Sequence, residues 1–160
     1  MGTSLDYHSI QAVPEPARTA VIRELKARNA SRTWWAEGIC LYDDPEKPEH
    51  IFGSTKLFLP GYGSGGEHRK VLPRHDIVMA YCDGKYLVRT FQRLSRRYDI
   101  TWCLEIEGNP IAVIQRGRLP LHVRLQLIGF GLLARVMARS PFLWVSSRWI
   151  SRRYADRWDE

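Results

Sequence analysis

Apolar and polar positions alternate most regularly in ITWCLEIEGNPIAVIQRG, residues 100–117. Ile100, Trp102, Leu104 and Ile106 fall on one parity, and Thr101, Cys103, Glu105 and Glu107 on the other. A side-chain period of two, interrupted by Gly108-Asn109, predicts a β-hairpin. RTWWAEGICLYDD, residues 32–44, carries the same period, with Trp35, Ile39 and Leu41 on one face and Trp34, Cys40 and Tyr42 on the other. After the polar, proline-punctuated PEKPEH, the run IFGSTKLFLP (51–60) reads as its antiparallel partner.

A helical period governs other stretches. In PEPARTAVIRELKARNA (14–30), Ala17, Ala20, Val21 and Leu25 recur at helical spacing, Pro16 suits the first turn and Asn29 the stop. DIVMAYC (76–82) reads as a short apolar strand or the start of a helix, and Asp83 is placed to cap a helix beginning there. Tyr86, Leu87, Thr90, Phe91, Leu94 and Tyr98 then form an inward face, while Arg89, Arg93, Arg96 and Arg97 point largely outward. Pro120 opens a further helix with Val123, Leu127, Phe130 and Ala134 on one stripe. Leu125, Ile128, Leu132 and Val136 make it apolar nearly all round, which predicts deep burial or a partner. Ser140-Pro141 breaks the pattern and caps a last helix.

Residues 1–12 sustain no period and read as a flexible arm, leaving 13–160 as a single domain. The order of elements predicts an α+β fold: a mostly antiparallel sheet of four to five strands, packed by about four helices, two of them C-terminal.

Composition adds an asymmetry of charge. The formal net charge is +7, and nineteen of the 24 basic residues are Arg. Arg-rich, Lys-poor usage follows GC-rich coding and points to a bacterial source rather than to nucleic acid. From Arg116 onward, nine Arg face Asp156, Asp159 and Glu160, a balance of +6 that leaves the first 115 residues near neutral. No secretory signal opens the chain, and MGTSLD only half-matches a myristoylation signal, with Asp6 where Ser or Thr is required. The longest uncharged apolar run, Leu125 to Ala134, is half of what a bilayer span needs, so a soluble cytoplasmic protein is expected.

Catalytic signatures are weak. LPGYGSGGEHRKVLPRHD (59–76) contains Gly61-x-Gly63-x-x-Gly66, the spacing of a phosphate-binding loop. A dinucleotide fingerprint needs its last glycine to open a helix, and Pro73 comes too soon after Gly66 for a crossover helix. No Gly-Lys-Ser/Thr is present either, so the stretch reads as a turn and no cofactor is expected. His68, His75 and Asp76, with Cys82 nearby, are the candidates for acid–base or nucleophilic chemistry; a thiol at a helix N-terminus would be activated. Their spacing matches no metal-binding pattern, and no metal is expected. Cys40, Cys82 and Cys103 form no CxxC pair and read as small buried hydrophobes. Glu105 and Glu107 share a parity and read as exposed acids on an edge hairpin rather than a catalytic pair. No GxSxG elbow occurs.

The basic end of the chain is the stronger feature. In SPFLWVSSRWISRRYADRW, Phe142, Val145, Trp149 and Ile150 share a helical face, with Trp144, Arg148, Arg152, Arg153 and Tyr154 around it. Arg beside Trp and Tyr suits a protein surface, making Trp144, Arg148, Trp149, Arg152, Arg153 and Tyr154 the expected partner site. The apolar helix 121–137 offers a route to a homodimer. Nucleic acid is the alternative partner, through Arg148, Arg152, Arg153 and Arg157, although no RRM, KH or zinc-knuckle signature is present. The layout resembles that of toxin-neutralising immunity proteins and small adaptors, which implies a protein that acts by binding another protein. A small-ligand or metal-dependent enzyme built on residues 61–83 is the other alternative.

Overall fold

A computed structural model describes residues 3–58, 73–106 and 108–139. Along the chain run β1 (Thr3–Ser9), α1 (Glu15–Ala30), β2 (Cys40–Tyr42), β3 (Phe52–Phe58), α2 (Pro73–Tyr98), β4 (Trp102–Ile106), β5 (Asn109–Ile114) and α3 (Leu121–Arg139). The strands form one antiparallel sheet in the order β2-β3-β1-β4-β5. This is the α+β class that the pattern predicts, with three helices among the described residues; the last expected helix, beyond residue 139, lies outside them.

The middle strand is the largest correction. Residues 3–9, expected to belong to a loose arm, are β1, hydrogen-bonded to β3 on one edge and β4 on the other. Leu5, Tyr7 and Ser9 point inward and are almost fully buried, while Ser4, Asp6 and His8 take the opposite parity. Two apolar residues suffice because the strand is secured through its backbone on both sides. Just beyond it, Gln11 donates to the Asp99 carbonyl and accepts from the Thr101 N–H, and the Val13 N–H reaches the Glu49 carbonyl.

All the inward positions of the sheet meet one layer of helices. Val21 and Leu25 of α1 join Leu87, Val88, Phe91 and Leu94 of α2, and Val123 of α3, in a single core with Trp102, Leu104, Ala112 and Ile114. Tyr7, Phe91 and Trp102 pack in series with their rings tilted, centroids 4.6 and 4.8 Å apart. Gly53 on β3 is required there: a Cβ would collide with the Tyr7 ring and the Cys40 carbonyl. The Tyr7 hydroxyl donates to the Ser54 carbonyl, and burial pushes the phenol far above its ordinary pKa.

Two other expectations change. Residues 33–39 are not strand, because Trp34 and Trp35 are both buried, which period-two alternation forbids. DIVMAYC is helix, one of its two expected forms, but α2 runs unbroken through Asp83, which is an interior residue and not the expected cap. The carboxylate of Asp83 has a different task. It is 2% exposed, takes an ion pair and hydrogen bonds from Arg32, and accepts the Trp35 N–H at 2.9 Å. The Arg32 guanidinium lies over the Tyr86 and Trp34 rings, 4.5 and 5.3 Å from their centroids. Asn29 pins the same loop, accepting from the Trp34 indole and the Ile39 N–H.

Replacing Asp83 by Ala removes the acceptor of the Trp35 N–H and the carboxylate that pairs with Arg32. Arg32 keeps a quarter of its side chain in solvent, so the loss falls below the figure for a fully buried pair, at about 2–3 kcal/mol. Urea denaturation of Asp83→Ala measures it, and a change within about 0.5 kcal/mol contradicts the assignment.

Candidate functional site

The turn between β5 and α3 builds the first candidate surface. Arg116 and Gly117 both have positive φ, 48° and 70°. Gly117 suits this conformation because it has no Cβ, and a Cβ would also strike the Arg96 side chain. Its N–H donates to Ser95 Oγ at 3.0 Å, and its carbonyl accepts from Gln92 at 3.0 Å and Arg96 at 3.4 Å. The turn is thus clamped to α2, and α3 leaves it beside α2.

Between the two helices lies a groove of about 660 Å³. Lys85, Arg89 and Arg96 line it from α2, four and seven residues apart, so helical geometry stacks them on one face. Arg118 and Arg124 close the other side, and no acidic residue lines the groove among the described residues. None of these five cations has a carboxylate within ion-pairing distance among the described residues. Elsewhere guanidinium groups do find acids: Arg18 pairs with Asp43, Arg28 with Glu24 and Arg97 with Glu24.

Beside the groove, α3 carries an apolar row that nothing covers among the described residues. Leu121, Leu125, Ile128 and Leu132 are 58–68% exposed. Their spacing of four, three and four residues places them on one helical stripe. Deep burial, expected of this helix unless a partner covers it, holds for Val123, whereas Leu125, Ile128 and Leu132 are exposed among the described residues. The side chains of Phe130, Ala134 and Val136 lie outside the described residues.

The second candidate surface is the sheet face opposite the helices. His8 lies across from Cys103 in the β1–β4 ladder, and Asp6 across from Glu105. His8 Nδ1 is 3.9 Å from Glu105 Oε1, and the Cys103 thiol donates to the same oxygen at 3.6 Å. Burial first, then the Glu105 charge, pushes the Cys103 thiol pKa up. His8 stacks on Phe52, which stacks on Tyr42, each pair 5.9 Å apart. Burial, then the charges of Asp6, Glu105 and Asp44, raises the Tyr42 phenol in turn, so this face carries a negative field.

The sequence-selected residues fare unevenly. Cys82 is exposed, not buried as expected, and interior to α2, so it does not sit at a helix N-terminus. His75 and Asp76 lie in the first turns of the same helix, with side chains outside the described residues. Seven residues of helix separate His75 from Cys82, about 10 Å along the axis. His68, Gly61, Gly63 and Gly66 lie outside the described residues, as do Trp144, Arg148, Trp149, Arg152, Arg153, Tyr154 and Arg157. Cys40 is exposed, not buried as expected, and β4 is an interior strand, so Glu105 is not on an edge. Sequence reasoning misses His8 because it misses β1 itself; the alternation of Leu5 and Tyr7 with Asp6 and His8 is the available signal.

Exposure of the α3 row makes a simple statement about stability. Leu125→Gln with Ile128→Gln changes the unfolding free energy in urea by no more than about 0.5 kcal/mol, whereas Val123→Ala costs about 1–3 kcal/mol. Among the described residues no helix is long and apolar enough to cross a membrane. The chain matches no family model, no curated protein and no solved structure.

Proposed function

We propose that the chain acts by binding another protein, in an adaptor- or immunity-type role, and that α3 with the α2–α3 groove is the contact surface. The single observation that carries this reading is the row Leu121, Leu125, Ile128 and Leu132, uncovered among the described residues, beside a groove lined by five cations that no described carboxylate pairs. An exposed apolar stripe rimmed by Arg is the composition of a protein interface. The partner it fits is an acidic amphipathic segment, whose apolar side covers the row while its carboxylates enter the groove.

Charge separates this partner from two others. A symmetric homodimer through α3 would place the same cations against themselves, since a two-fold interface pairs each patch with its own copy. With no acid in the described part of α3 to offset Arg124, self-pairing is disfavoured. Nucleic acid uses the cations but gains nothing from a row of leucines and isoleucine.

Comparative capture tests the reading. A protein retained by the wild-type chain is retained by His68→Ala/His75→Ala and lost by Leu125→Asp/Ile128→Asp, with folding checked by circular dichroism. Calorimetry with the purified pair then shows at least about tenfold weaker binding for the α3 variant, and weakening with salt for the wild type. Equal binding by the α3 variant, or no retained protein at all, contradicts the proposal.

A further inference from the structure

Three side chains on the sheet face opposite the helices form the strongest cluster of metal-binding chemistry among the described residues. The ligand atoms of His8, Cys103 and Glu105 all lie within 4.8 Å of one another. The geometry points to a Zn²⁺ site made by His8 Nδ1, Cys103 Sγ and Glu105 Oε1, with its fourth position open to solvent. This is independent of the protein-binding surface, which lies on the helical side of the molecule.

Donor type selects the ion. One imidazole nitrogen, one thiolate and one carboxylate oxygen are the three ligand types that Zn²⁺ takes, whereas Mg²⁺ and Ca²⁺ require oxygen alone. Bond lengths of about 2.0–2.3 Å put tetrahedral ligands about 3.3–3.6 Å apart. Two of the separations, 3.6 and 3.9 Å, are already near that range. The third separation lies within 4.8 Å. Three protein ligands and a free position are the arrangement of reactive zinc sites, whereas structural sites are closed by four.

Rigidity and field reinforce the donor set. His8 and Cys103 are paired across adjacent interior strands, and Glu105 is two residues further on the same face, so the sheet fixes their spacing. Phe52 stacks against the His8 ring and restrains its rotation. Cys103 is 7% exposed, and the side chains of His8 and Glu105 are 31% and 24% exposed, so the site is shielded yet reachable. Asp6, across from Glu105, adds a second negative charge to the face. On binding, the Cys103 S–H bond breaks, the sulfur lone pair forms the metal bond, and the proton leaves to buffer.

The alternative for these residues is a bare His8–Glu105 ion pair with Cys103 as a spectator, and Co²⁺ distinguishes the two. Titrated into the reduced full chain, Co²⁺ gives a thiolate-to-cobalt charge-transfer band and the intense visible bands of tetrahedral coordination, saturating at one equivalent and displaced by Zn²⁺. Cys103→Ser removes the charge-transfer band, and Cys40→Ser and Cys82→Ser keep it. His8→Gln and Glu105→Gln weaken Co²⁺ binding by about tenfold or more, with unchanged circular dichroism. Should Cys103→Ser fail to fold, site-resolved alkylation of the wild type serves: Zn²⁺ slows modification of Cys103 and leaves Cys40 and Cys82 unaffected. No charge-transfer band in the wild type, a band that survives Cys103→Ser, or undiminished binding by His8→Gln and Glu105→Gln overturns the site. Zn²⁺ without effect on Cys103 alkylation overturns it as well.

Discussion

The two-residue side-chain period of β1, bonded on both edges at the centre of the sheet, is the constraint on which the rest depends. Every neighbouring strand takes its register from it, so the parity of Leu5 and Tyr7 fixes which residues of β3, β4 and β5 face the helices. Because α1, α2 and α3 all contribute to one core against that parity, the opposite parity is left without a helical layer among the described residues. Asp6, His8, Phe52, Cys103 and Glu105 meet on that outer face for this reason alone.

A second device orients the helical layer. The carboxylate of Asp83 projects from the middle of α2 into the loop after α1, where Arg32 and the Trp35 N–H hold it. A buried acid inside a helix fixes its rotation, because only one face can deliver the carboxylate to those donors. With that face fixed, Leu87, Phe91 and Leu94 turn to the sheet, and Lys85, Arg89 and Arg96 turn toward α3. The Gly117 turn then seats α3 beside them through Gln92, Ser95 and Arg96. One buried carboxylate and one tight turn thereby place the cationic groove.

Much of this is legible in the sequence. Residues 14–30, 51–60, 83–98 and 100–115 contain α1, β3, the second half of α2 and the β4–β5 hairpin, each with a clear period and turn residues at its ends. The misses share a cause: tertiary contacts outweigh the local pattern. TSLDYHS has only two large apolar residues, and its stability comes from ladders to residues about fifty and a hundred positions away. Asp83 looks like a helix cap until Arg32, fifty-one residues earlier, is brought to it. Trp34 and Trp35 alternate on paper yet both are buried. His8 is nearly a hundred residues from Cys103 and Glu105, so no spacing motif can announce the three together, and only the sheet order unites them. The apolar helix after Pro120 is plain from its pattern, but the pattern, which predicts deep burial or a partner, does not show that Leu125, Ile128 and Leu132 are uncovered among the described residues.

Amide hydrogen exchange of residues 4–9 tests the central strand most directly. A strand paired on both edges at the middle of a sheet opens only with the whole fold, so the Leu5 and Tyr7 amides belong with the slowest in the molecule, matching those of Trp102 and Leu104. Exchange of the Leu5 and Tyr7 amides at the rate of an unstructured chain terminus, while β4 stays protected, contradicts the account, because the parity that sorts the two surfaces would then have no origin.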